Sequence, residues 1–219
     1  MIQLAPNRTS PQDIIPTPLM KLCKDEISAV ICHLANISCA SGHFPTSLRT
    51  GLMTPLLKKP GLDVDDYKNY SPVTNLSIFS KILERLALAR LKPHITSSAN
   101  YCPLQSAYLQ LHSTETALVK IVDDVLAAMD RGHAVTVVGL QMSSAFDAIC
   151  HHTLIDRLQS DFGVTCTCLQ WITSYLSERS SSVRVNFAAS ESVSAHFDVP
   201  QGSVLGPVLF TVYVAPVVD

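Results

Sequence analysis

The sequence predicts an α/β fold of the α+β kind, and three observations predict it. Apolar residues recur at helical spacing in separate stretches, a seven-residue run at 134–140 is almost wholly apolar and β-branched, and apolar and polar residues alternate between 182 and 199. With 47% hydrophobic and 16% charged residues among 219, the chain can bury a sizeable core, which excludes disorder. The formal net charge of −2 excludes a whole-chain positive field for holding phosphates, so any nucleic-acid contact has to come from a local patch. No stretch reaches the roughly 18 apolar residues of a membrane span. The first 20 residues carry Pro6, Pro11, Pro16 and Pro18 and no basic head, which is not a signal peptide. Seven cysteines form an odd set without a repeating frame and read as reduced thiols. The expectation is an intracellular protein, cytoplasmic or nuclear, not secreted and without a membrane partner.

The elements follow in order. Residues 1–20, Pro-rich and polar, read as an extended lead-in. From 24 to 40 the residues Ile27, Val30, Ile31, Leu34, Ala35 and Ile37 fall on one helical face, and Gly42 and Pro45 stop the run. Leu52-Met53-Thr54-Pro55-Leu56-Leu57 reads as a short edge strand, because Pro55 cannot donate to a ladder. A charged loop spans 63–70, and helical spacing returns at 77–91 through Ile78, Ile82, Leu83, Leu86 and Leu88, with Lys92-Pro93 ending it. Ser113 opens the clearest helix, whose stripe is Ala117, Leu118, Ile121, Val122, Val125, Leu126 and Met129, with Glu115 in the first turn and Gly132 after the end.

The run 134–140 is too short for a helix and reads as a central strand buried on both faces. Helices are expected at 152–162 and 166–177, separated by Gly163, and then a hairpin, with Val183, Val185 and Phe187 alternating with polar residues and Val193, Ala195, Phe197 and Val199 doing likewise. Pro200-Gln201-Gly202-Ser203 makes a turn with Ser203 as N-cap, before an apolar segment through Val218. A domain seldom stops on an uncovered apolar segment, so further sequence is expected after Asp219, with self-association through an uncovered edge as the consequence. Cys150-His151-His152 with Cys166 and Cys168 is the tightest metal-like grouping. Structural zinc takes cysteine pairs with about two to four residues between them, so these read as thiols and a helix-start His pair.

The junction Leu140-Gln141-Met142-Ser143-Ser144-Ala145-Phe146-Asp147 delivers polar groups at the carboxyl end of the expected strand, where nucleotidyl transferases place metal-binding carboxylates. Together with other blocks, it resembles the reverse transcriptase domain of non-LTR (LINE-type, jockey-like) retrotransposons, N-terminal part only. The blocks are Thr54-Pro55-Leu56-Leu57-Lys58-Lys59-Pro60, Asn69-Tyr70-Ser71-Pro72-Val73-Thr74-Asn75-Leu76, Phe79-Ser80-Lys81-Ile82-Leu83-Glu84-Arg85, Gln105-Ser106-Ala107-Tyr108, His112-Ser113-Thr114-Glu115 and Val199-Pro200-Gln201-Gly202-Ser203-Val204-Leu205-Gly206-Pro207. They stand in the family's order over essentially the whole chain.

The resemblance implies a right-hand polymerase that copies RNA into DNA with two Mg²⁺ ions. This chain would cover an N-terminal extension (1–50), a fingers-like region (51–133) and a partial palm (134–219) with an incomplete palm sheet. Mg²⁺ prefers hard, charged oxygen ligands. The family's first metal-binding aspartate falls at Gln141, a neutral amide, and its Tyr-Ala-Asp-Asp motif would lie beyond Asp219, so no catalytic or metal residue is intact and no cofactor is expected in this chain. The Tyr-Arg-Pro motif reads Tyr70-Ser71-Pro72, and the Tyr-Arg pair reads Tyr108-Leu109, so two basic positions are lost. Phe146, at the position of the gate against a ribose 2′-OH, and the Gln201-Gly202 turn remain as nucleotide-binding candidates. Lys58, Lys59, Lys81 and Arg85 are the candidates for a template track, each also readable as a solvated charge. Asp147 reads as a helix cap or dipole partner.

The reading is thus a catalytically inactive polymerase fragment that binds RNA or DNA template weakly if at all. Two alternatives stay open: a working polymerase once missing sequence completes it, and a non-catalytic module that binds RNA or protein.

Overall fold

In the computed structural model, which describes residues 2–4, 9–142, 145–186, 188–195 and 199–217, two prolines face each other across the first strand pair. β1 (Thr50–Leu57) runs antiparallel to β2 (Tyr70–Asn75), with Pro55 opposite Pro72. The Lys58 N–H donates to Asn69 O at 2.8 Å, and the alternation counted back from there puts 55/72 on a pair without hydrogen bonds. Neither missing N–H therefore interrupts this ladder. Nor is β1 the edge strand that Pro55 suggests. Its first half pairs in parallel with β3 (Arg179–Val185), from Thr50↔Ser180 to Met53↔Val183, and the ladder stops before Pro55 would have to donate.

β3 turns back at Asn186, which holds a φ of +54°, into β4 (Ala188–Ala189), and also pairs antiparallel with β5 (Val193–Ala195). The sheet order is β2-β1-β3-β4, with β5 also on β3. The expected hairpin is present, although Phe187 and Phe197 lie outside the described residues. β2 adds a strand that the sequence pattern does not announce: the charged loop of 63–70 runs into it, and Pro72 breaks the alternation over its six residues.

The buried core lies among the helices, and of the strand residues with a described burial only Gly51, Thr74 and Arg179 are buried. The lead-in is not extended throughout: it holds a 3₁₀ turn at Ile2–Leu4 and α1 (Thr17–Leu22), whose first turn accepts Pro18 because the N–H lost there has no partner in a helix anyway. α2 (Lys24–Ser41) stops at Gly42 in the left-handed region, as expected, and buries Ile31, Ala35 and Ser38. α3 (Ile78–Thr96) starts at Ser77, whose side chain accepts the Ser80 N–H, and continues through Pro93. The proline removes one bond in an exposed turn, while buried Leu91 and Ile95 hold that turn on the core.

α5 (His151–Ser160), α6 (Cys166–Leu176) and α7 (Gly206–Val214) complete the layer. At its centre Phe44 stands edge-on to Trp171 (5.3 Å) and Tyr175 (5.1 Å), which stack on each other at 6.0 Å. The indole N–H of Trp171 donates to Ser38 Oγ at 2.9 Å. Buried Arg49 donates to Phe44 O (2.8 Å), Ser174 Oγ (2.9 Å) and Glu178 (3.0 Å), tying the entry to β1 to the entry to β3. None of the described helices is long and apolar enough to cross a membrane.

Two elements depart from expectation. α4 (Thr114–Asp130) begins with the expected Ser113 cap, reciprocated by Thr116, yet buries no residue. Leu118, Val122 and Met129 are 55%, 54% and 57% exposed. The expected central strand at 134–140 is not a strand, and Val138 is 75% exposed. A strand apolar on both faces needs a partner at its edge and a layer on each face, and among the described residues it has neither. Changing Leu118→Lys together with Val122→Lys is expected to leave thermal stability within about 0.5 kcal/mol and to reduce both dye binding to apolar surface and self-association in sedimentation. A fall of several degrees in Tm would show that this face is packed in solution.

Candidate functional site

The end of β1, the start of β2 and two turns enclose a cavity of about 250 Å³, lined by Lys58, Tyr70, Ser71, Pro72, Ala145, Phe146, Asp147 and Gln201. Its three parts are fastened to one another through the backbone. The Thr74 N–H, directed away from β1, donates to Gln201 O (2.8 Å), and the Val199 N–H donates to Phe146 O (3.1 Å). Gly202 stands at φ +115°, where a Cβ would come within 2.7 Å of Thr74 O. Only glycine lets the turn lie that close to β2.

Phe146 is half-buried, and its ring meets Phe210 of α7 at 5.4 Å and Tyr108 at 6.5 Å. Lys58 brings a cation to the mouth, its Nζ donating to Lys68 O at 2.9 Å. Asp147 brings an anion, and partial burial lifts its carboxyl above the ordinary aspartate range. The cavity thus offers an aromatic wall, two amide or hydroxyl groups at Gln201 and Ser71, and opposite charges on separate elements. It is below the roughly 300–1,000 Å³ usual for small-molecule sites, with room for a sugar ring rather than a whole nucleotide. Larger cavities, about 420, 360 and 300 Å³, lie among α2, α3 and α6, beside the N-terminal 3₁₀ turn, and between α3 and α7.

The candidate residues divide between those the fold gathers and those it scatters. Lys58, Phe146 and Gln201, up to 143 positions apart in number, line one cavity, with Gly202 next to it. Lys59 is exposed past the end of β1, and Lys81 and Arg85 sit half-buried on α3, away from the lining. Arg85 encloses Nη1 without a hydrogen-bond partner, which is poor placement for a template contact. Gln141 is exposed in coil and does not line the cavity.

Asp147, expected as a helix cap or dipole partner, does not cap a helix: it lies in a turn of 145–148, and α5 begins only at His151, after an N-cap at Cys150. Among the described residues no group of three His, Cys, Asp or Glu side chains converges as a metal site.

The architecture is a mixed α/β chain with a partial sheet, a pocket on the first strand pair and a Pro-Gln-Gly turn. Residues 57–219 match the family described as reverse transcriptase (RNA-dependent DNA polymerase), and the chain belongs to that family. Its relatives place it among mobile-element enzymes of the LINE type. It is 32% identical over 160 residues to a probable RNA-directed DNA polymerase from transposon BS of Drosophila melanogaster, covering 73% of this chain and 17% of that protein. It is 27% identical over 215 residues to the RNA-directed DNA polymerase from mobile element jockey of Drosophila funebris, covering 97% of this chain and 23% of the relative. A probable RNA-directed DNA polymerase from transposon X-element of Drosophila melanogaster matches at 26% over 213 residues, again 97% of this chain and 23% of the relative. The chain spans about a fifth of the length of these relatives.

Gly202→Ala is expected to cost about 1–3 kcal/mol, because the new Cβ meets backbone at Thr74 as well as an unfavourable φ. Gly61→Ala, at φ +86° with nothing within 4 Å, should cost less. Urea melts of the two variants make the comparison, and equal losses would show that the turn does not rest on β2.

Proposed function

We propose that this chain is the fingers (51–133) and partial palm (134–219), after an N-terminal extension (1–50), of a LINE-type RNA-directed DNA polymerase, and that it does not polymerise. The observation that carries this is the cavity itself. Three blocks far apart in sequence, Tyr70-Ser71-Pro72, Phe146 and Gln201, meet around it, as a site for the sugar or base of a nucleotide would require.

Reverse transcriptases use Mg²⁺, which needs charged oxygen ligands converging on one point. The residues present do not fit a metal pair: Gln141 is neutral and does not line the cavity, and Asp147 is the lone carboxylate in the lining. What remains is a groove that can take a sugar or base against Phe146 and a polar edge at Gln201, with Lys58 as the nearest cation. Uncovered α4 and the exposed segment 133–142 favour a second reading, in which further polypeptide completes the fold; Gln141 would still lack a charge there.

Primer extension on an RNA template with Mg²⁺ or Mn²⁺ is expected to give no product, and Gln141→Asp alone should not restore it. RNA-templated synthesis by the unmodified chain would overturn the reading. Any RNA or DNA binding is expected to be weak and indifferent to sequence, with a shallow dependence on salt, since few phosphates can be neutralised. The Lys58→Glu, Lys59→Glu double variant should remove most of it in filter binding. Unchanged binding, or a salt-insensitive and sequence-specific complex, would place the contact on another surface.

A further inference from the structure

Glu84 is a carboxylate with 0% exposure, on α3 and outside the cavity. Burying such a group is costly unless its lone pairs are met, and here each oxygen is. Oε2 accepts the Val204 N–H (2.7 Å), the Leu205 N–H (3.1 Å) and the Tyr175 hydroxyl (3.3 Å), and Oε1 accepts the Ser80 hydroxyl (3.0 Å). Arg179, itself 2% exposed, supplies an opposing charge from beside the Tyr175 ring, 4.9 Å from its centroid.

The two amides that Glu84 holds follow directly on Gln201-Gly202-Ser203 and lead into α7. The Ser203 side chain then accepts the Gly206 N–H (3.0 Å). The turn is therefore pinned at both ends, by Thr74 at Gln201 and by Glu84 at Val204 and Leu205. α7, started at this point, carries Phe210 against Phe146.

We propose that Glu84 is a positioning residue of the pocket: by holding the Val204 and Leu205 amides, it fixes the Gln201-Gly202 turn and, through Phe210, the Phe146 wall. The proposal rests on the reading of that cavity as a nucleotide site. Geometry also specifies what can replace the residue. In Glu84→Gln the amide oxygen can take the two backbone N–H groups while the amide NH₂ donates to Ser80 Oγ, which is able to accept. Glu84→Ala leaves both amides buried without an acceptor. Glu84→Asp keeps the charge one methylene too short.

The test uses the full 219-residue chain and two readouts, residue-resolved amide exchange and binding of a fluorescent mant-deoxyadenosine triphosphate. Glu84→Ala is expected to speed exchange at Val204 and Leu205 by roughly 10- to 100-fold beyond any change in the β1–β3 ladder, and to weaken nucleotide binding by at least about tenfold; Glu84→Gln should keep both near wild type. If the Ala variant does not fold, Glu84→Asp provides the comparison with the same expected pattern. Equal acceleration in the ladder and in the turn would mean that Glu84 stabilises the whole fold and positions nothing, which overturns the proposal, as would unchanged exchange at 204 and 205. Failure of the wild-type chain to bind the nucleotide would remove the nucleotide reading of the cavity, and the exchange pattern would still decide whether Glu84 holds the turn.

Discussion

The short parallel ladder between β1 and β3 is the constraint on which the rest of this structure depends. Parallel strands cannot be joined by a tight turn, and the clamp that brings these two together, Arg49 to Glu178, closes a separation of 129 positions. Everything between has to leave the sheet and return to it. β2 does so at once by folding back on β1, and α3, α5 and α6 build the buried helical core before β3 returns. Closing so long a loop is entropically expensive and is repaid only after both ends arrive, which is why a fully buried arginine sits at the join. Arg49 binds two backbone carbonyls, a serine and a glutamate there, a geometry that a lysine's point charge would not reproduce.

The pocket is a by-product of that arrangement. With β1 held on one side by β3, its other side is free for β2, and the outward N–H of Thr74 on β2 is what receives the Gln201 carbonyl. Two glycines make room around Thr74: a Cβ at Gly51 would stand 2.6 Å from its methyl and one at Gly202 2.7 Å from its carbonyl oxygen. Packing and electrostatics have parted company here. The backbone frame of the cavity is tightly fastened, but the charges along its lining are confined to Lys58 and Asp147 on opposite elements.

Helices were legible in the sequence because their signals are local. The Ser77 and Ser113 caps, the Gly42 stop and the 3.6-residue stripe of α3 all lie within a few residues of what they specify. β2 was not legible, since a strand with a proline and a polar neighbour declares itself only through its partner β1. Segment 134–140 failed in the opposite way: its composition is that of a buried strand, but composition does not supply the neighbouring strands. In the site, Phe146, Gln201 and Lys58 could be named from block resemblance, but nothing in spacing alone says that they meet. Lys81 and Arg85, readable as a template track or as solvated charge, lie on α3 away from the cavity lining, and positive charge on a helix does not by itself reveal which way the helix faces. Asp147 reads from sequence as a cap or dipole partner, as an aspartate after an aromatic residue so often is, and only the fold shows it lining the cavity.

The single tryptophan of the chain gives the helical layer an optical address. Trp171 is 4% exposed, lies nearly parallel to Tyr175 at 6.0 Å, and has its indole N–H engaged by Ser38. Its emission is therefore that of an indole shielded from water, fed by energy transfer from the adjacent phenol. It follows the separation of α2 from α6 and little else. A spectroscopist would see the core of this chain melt with clarity and would be blind to α4, which could fray completely without moving the spectrum.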